Sequence, residues 1–83
     1  MVAVRSLVRF DPTPIPAGQK TGAWEVLSTY SATYLGRVRW YAQWRRYAFW
    51  PDVDTLFDRA CLDEISTFIA GQMAARAHPS AER

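Results

Sequence analysis

The chain has 83 residues, a formal net charge of +2 and a pI of about 9.0, with 49% apolar and 22% charged residues. That composition excludes general disorder, and the length allows one small domain burying roughly 60% of its unfolded surface. One cysteine, Cys61, excludes an internal disulfide framework; with no apolar run near the ~18 residues of a membrane span and no signal-peptide pattern at Met1-Val2-Ala3-Val4-Arg5, it points to a reducing, cytoplasmic setting with no membrane partner.

Residues 2–10 alternate, with Val2, Val4, Val8 and Phe10 on one side and Arg5 and Arg9 on the other, which predicts a strand. Such a terminal strand would lie at a sheet edge and could pair with a second copy, so a homodimer is one expectation. Residues 11–22 hold Pro12, Pro14, Pro16, Gly18 and Gly22 and read as an exposed connection. A β-meander follows over 23–50, with strands at 24–30, 34–41 and 44–50. A tight connection centred on Ala32 would oppose Trp24 to Trp40, Val26 to Val38 and Glu25 to Arg39. A turn at Ala42-Gln43 would oppose Val38 to Tyr47, Gly36 to Phe49 and Arg39 to Arg46. One face then carries Trp24, Val26, Val38, Trp40, Tyr47 and Phe49. The other carries Leu27, Arg37, Arg39, Tyr41, Trp44, Arg46 and Trp50.

Pro51 ends the meander. Asp58 has the chemistry of a helix N-cap, and Phe57 and Leu62 have the spacing of a hydrophobic staple. Cys61, Leu62, Ile65, Phe68, Ile69 and Met73 recur at helical spacing, predicting a helix over 59–77 whose apolar stripe covers the first face. Its other side (Arg59, Asp63, Glu64, Ser66, Thr67, Gln72) reads as solvating, and Arg76 suits the helix end. Residues 78–83, with Pro79, read as a tail. The expected fold is a single α+β domain, ββββα: an antiparallel sheet of three to four strands with one C-terminal helix packed on one face.

Enzyme chemistry finds little material. The only histidine, His78, stands in the tail, away from where a general base would be held. Cys61 lies in the first helical turn but belongs to the apolar stripe, the position of a small buried residue rather than a nucleophile. One Cys and one His do not make a zinc site, and Asp52, Asp54 and Asp58 lack the Gly and Glu of a calcium loop. No Gly-rich phosphate loop is present. The expectation is a non-enzyme without cofactor or metal.

The binding features are concentrated. The chain has four Trp, four Tyr and four Phe, and Trp40, Tyr41, Trp44, Tyr47, Phe49 and Trp50 fall within residues 40–50. Residues 37–50 also hold Arg37, Arg39, Arg45 and Arg46 and no acid. Guanidinium groups can meet phosphates or base edges while aromatic rings stack on bases, so Arg37, Arg39, Tyr41, Trp44, Arg46 and Trp50 form a candidate nucleic-acid or partner-binding face. Two other readings stay open. Aromatic residues favour strands for packing alone, and Trp, Tyr and Arg are also the residues of protein-binding hot spots, so a host protein is the alternative partner.

The stretch from Leu35-Gly36-Arg37-Val38-Arg39-Trp40-Tyr41 through Trp44-Arg45-Arg46-Tyr47-Ala48-Phe49-Trp50-Pro51, with Thr55, Phe57, Cys61-Leu62 and Phe68 after it, resembles a family of small proteins from phages, prophages and other mobile elements. The similarity spans about residues 23–70. The family often has Gly-Pro where this chain has Ala42-Gln43, and it carries over no catalytic residue. The resemblance implies an accessory protein of a mobile element in a bacterial cytoplasm and carries no agreed activity; the basic aromatic face adds the expectation that it binds nucleic acid or, as the alternative, acts as an antagonist or regulator of a host complex. In architecture alone, a three-stranded sheet on one helix is similar to plant AP2-type DNA-binding domains and phage integrase arm-binding domains, which read DNA with the open sheet face.

Overall fold

The structure, a computed structural model, describes residues 6–77. Within them, β1 (Val8–Pro12), β2 (Ala23–Ser28), β3 (Tyr34–Tyr41) and β4 (Arg46–Pro51) precede one helix, α1 (Arg59–Ala77). The strands form one antiparallel sheet in the order β1-β2-β3-β4, with α1 across one face, which is the expected ββββα arrangement. Val2, Val4 and Arg5 of the first expected strand, and the tail with His78, lie outside the described residues.

Both hairpins differ from the expected register. In the first, Trp24 opposes Val38, Glu25 opposes Arg37 and Val26 opposes Gly36, and Leu35 is then an extra residue before Leu27 meets Tyr34. In the second, Val38 opposes Phe49, Trp40 opposes Tyr47, Arg39 opposes Ala48 and Tyr41 opposes Arg46. Glu25 therefore does not face Arg39, and Arg39 does not face Arg46. The cause lies in the turns. Neither connection has the Asn-Gly of a two-residue hairpin turn. Each instead closes with an i to i+4 bond, Ala32 N–H to Ser28 C=O and Arg45 N–H to Tyr41 C=O, both 2.9 Å. Ala32 (φ 57°) and Arg45 (φ 56°) end these turns in the left-handed region. The longer second turn starts β4 at Arg46 and leaves Trp44 in the turn rather than in a strand. Outside the Leu35 bulge, facing pairs move by two positions along the partner strand, and an even shift keeps each residue on its face; past the bulge Leu27 and Tyr34 move by three, which turns Tyr34 to the other face.

Alternation then builds the core. Val8, Val26, Val38 and Tyr47 from the sheet and Ile65 from α1 are buried, with Val26 and Val38 at 0% exposure. Around them Phe10 stacks on Phe68 with ring centroids 3.9 Å apart, and Trp24 meets Tyr47 and Phe68 edge-on at 5.6 and 5.1 Å. Rings of this size let a thin core bury enough area, each pair adding about 0.5–1.5 kcal/mol beyond the area itself.

The helix starts where its cap says it should: Asp58 Oδ1 accepts the Cys61 N–H at 2.9 Å. Leu62 departs from expectation. It is 48% exposed, and Phe57 instead packs edge-on against Phe49 at 5.2 Å, so the stripe runs through Cys61, Ile65, Phe68, Ile69 and Met73. Glu64 departs too. Rather than solvating the outer side, its carboxylate accepts the Leu7 N–H at 3.0 and 2.9 Å and the Val8 N–H at 3.2 Å. At the other sheet edge Met73 Sδ accepts the Tyr47 N–H at 3.4 Å. One helix thus occupies a backbone donor on each edge strand, and β1 and β4 both end in proline. Both devices blunt an edge against further strand pairing.

Candidate functional site

The face of the sheet turned away from α1 is laid out by the register. Asp11, Glu25, Arg37 and Trp50 form one row across all strands; Ala23, Arg39 and Ala48 form the next, and Tyr41 and Arg46 a third. The six residues singled out from the sequence share this face. Trp44 joins it from the turn by packing edge-on to Tyr41, 4.8 Å between centroids.

Gly36 sets how close β4 comes. Its φ is 150°, and a Cβ there would collide with the Trp50 carbonyl oxygen. Only glycine adopts such a backbone without strain. With that close approach Trp50 lies beside Arg37 in register, and the Arg39 guanidinium carbon sits 3.7 Å from the Trp50 ring centroid. Tyr41 meets the same indole edge-on at 5.5 Å. The guanidinium is held over the ring by its attraction to the negative π face.

The remaining cations are oriented by neutral partners. Arg37 Nε donates to the Tyr34 hydroxyl at 3.3 Å. That bond, followed by the electrostatic interaction with Tyr34, raises an already high guanidinium pKa; desolvation opposes them, and Glu25 across the ladder adds a lesser increase. Arg46 Nε donates to the Trp44 carbonyl at 3.3 Å, and the Tyr41 hydroxyl donates to Gln43 Oε1 at 2.8 Å. Among the described residues the one ion pair is Arg9 with Asp11, at 2.9 Å. Arg37, Arg39 and Arg46 are exposed and have no carboxylate in ion-pair contact. The acids of this face, Asp11 and Glu25, stand towards β1, so the face is polarised along its strand order.

Between the rings lies a groove of about 230 Å³ lined by Tyr41, Trp44, Ala48, Phe49 and Trp50. Trp44 is 62% exposed at its rim. Ala48 stands on the outer face between Arg46 and Trp50 on β4, and its small side chain leaves the space open. Sequence reasoning missed Ala48, because a small residue between large ones carries no chemistry of its own. It also missed Tyr34, which reaches this face only through the bulge at Leu35. The Trp50 Nε1 atom is buried with no hydrogen-bond partner among the described residues, a cost of about 1–3 kcal/mol in a folded protein.

Cys61 is half-buried, and burial pushes its thiol pKa up, away from the reactive thiolate. Among the described residues no three His, Cys, Asp or Glu side chains are grouped to hold a metal ion, and no helix is long and apolar enough to cross a membrane. Compared with known proteins, the chain matches no protein-family model, no curated protein and no solved structure.

Proposed function

We propose that this chain is a non-enzymatic binding module whose open sheet face engages nucleic acid. Arg37, Arg39 and Arg46 take phosphates or base edges, and Tyr41, Trp44 and Trp50 offer stacking surfaces. The observation that carries this reading is the set of exposed guanidinium groups, none ion-paired to a carboxylate among the described residues, around an aromatic cluster on the uncovered side of the sheet. A cytoplasmic accessory role in a phage or other mobile element belongs to the same proposal and rests on the sequence resemblance. The test is tryptophan fluorescence during titration with single-stranded DNA, duplex DNA and RNA at two salt concentrations. Salt-sensitive quenching by at least one of them is expected, and no response to any would overturn the reading.

A protein partner is the second reading, favoured by one observation: Trp44 is 62% exposed beside Tyr41 and Arg46, the residue types of a hot spot. Under it, Trp44→Ala keeps the thermal midpoint and abolishes retention of a host protein on the immobilised chain. Failure of the wild type to retain any host protein would remove this reading.

A further inference from the structure

We infer that the groove floored by Ala48 receives a single unstacked nucleobase, so that the face is a reader of single strands rather than of duplex. The inference rests on the nucleic-acid reading above and deepens it. The groove is lined by Tyr41, Trp44, Ala48, Phe49 and Trp50, with the Tyr41 ring edge-on to both Trp44 and Trp50, and its volume is about 230 Å³. Pockets that enclose a drug-sized molecule hold roughly 300–1,000 Å³, so this one has room for one flat ring system. Its lining is aromatic and apolar, which suits any base, since every base has a π face.

The charges fit the same occupant. Arg46 stands at the turn end of the groove, opposite Tyr41, and Arg39, over the Trp50 ring, stands at its other side with Arg37 beyond. A base seated over Ala48 would place its backbone phosphates towards cations on both sides. In a duplex the bases are paired and stacked inside, so no ring reaches the groove unless it is first unpaired and unstacked. A free base in a strand is already unpaired.

The experiment compares an oligothymidylate of on the order of ten nucleotides, an abasic strand of the same length and a duplex of matched sequence. Each is titrated into wild-type protein and into Ala48→Leu, which fills the groove and changes no charge. Trp44→Ala serves as a second variant, since Trp44 lies in an exposed turn, and thermal midpoints establish that both fold. The expected result is at least tenfold tighter binding of the oligothymidylate than of the abasic strand or the duplex. Either variant should bring the oligothymidylate down to the abasic level. Equal affinity for the abasic strand, tighter binding of the duplex, or unchanged affinity in both variants would overturn the inference while the broader reading stands. Binding of none of the three overturns both.

Discussion

The guanidinium carbon of Arg39 lies 3.7 Å from the centroid of the Trp50 ring although the two residues are not backbone partners, since Arg39 opposes Ala48 and Trp50 opposes Arg37. The contact is diagonal, and Ala48 is small enough to let it form. A surface cation over an indole contributes about 0.5–1 kcal/mol. A double-mutant cycle with Arg39→Ala and Trp50→Ala in urea should return a coupling of that size. Trp50→Phe keeps a ring under Arg39 and removes the orphaned Nε1, so its stability should match or exceed the wild type. A coupling indistinguishable from zero would show that the stack does not hold Arg39 in solution.

Glu64 ties the start of β1 to α1 through the Leu7 and Val8 N–H groups. Bonds to a charged acceptor contribute about 1.5–3 kcal/mol when buried; this group is half-buried, so Glu64→Ala should cost roughly 1–2 kcal/mol. Glu64→Gln, which keeps one acceptor oxygen, should cost less. Amide exchange at Leu7 and Val8 should speed up in the alanine variant, and unchanged protection there would refute the anchoring role.

Much of the working face was legible before the structure, and the reason is parity. Inward Val26 and Val38 and outward Arg37, Arg39 and Tyr41 follow from alternation alone, and a two-residue slip in either hairpin leaves them in place. The cross-strand pairs were not legible. Ala32 and Arg45 adopt left-handed conformations without the glycine or asparagine that would mark them. The bulge at Leu35 has no marker other than the neighbouring Gly36. Glu64 reads as a surface acid because its partners lie 57 and 56 positions away in the chain, a separation that helical periodicity does not report.

Gly36→Ala should be among the most damaging single changes. The new Cβ meets the Trp50 carbonyl and the Pro51 Cα, both backbone atoms, at a φ of 150°. A loss of about 3 kcal/mol or more is expected, read as a lower urea midpoint. Ala32→Gly is the converse. It relieves a φ of 57° in an exposed turn, and a gain of about 0.5–1 kcal/mol is expected. A loss of stability in Ala32→Gly would mean that the first turn is not closed as described.

Acid should loosen the start of α1. The Cys61 N–H bound to Asp58 holds that carboxyl below its ordinary value of 3.8. A depressed folded pKa means that the cap's contribution is complete above the unfolded value and is lost as pH falls through the folded one. Helix content measured by circular dichroism in Asp58→Asn should therefore fall less between pH 5 and pH 2 than in the wild type. Identical acid profiles would show that the cap does not titrate with folding.

The central claim is that Arg37, Arg39 and Arg46 meet phosphates. The most direct test is the slope of log affinity against log salt for a single-stranded oligonucleotide, in the wild type and in the Arg37→Ala, Arg39→Ala, Arg46→Ala triple variant. Each phosphate contact on a single strand contributes about 0.7 to that slope, so the triple variant should lose about 2. Equal slopes for the two proteins, or no binding by the wild type at low salt, would contradict the claim.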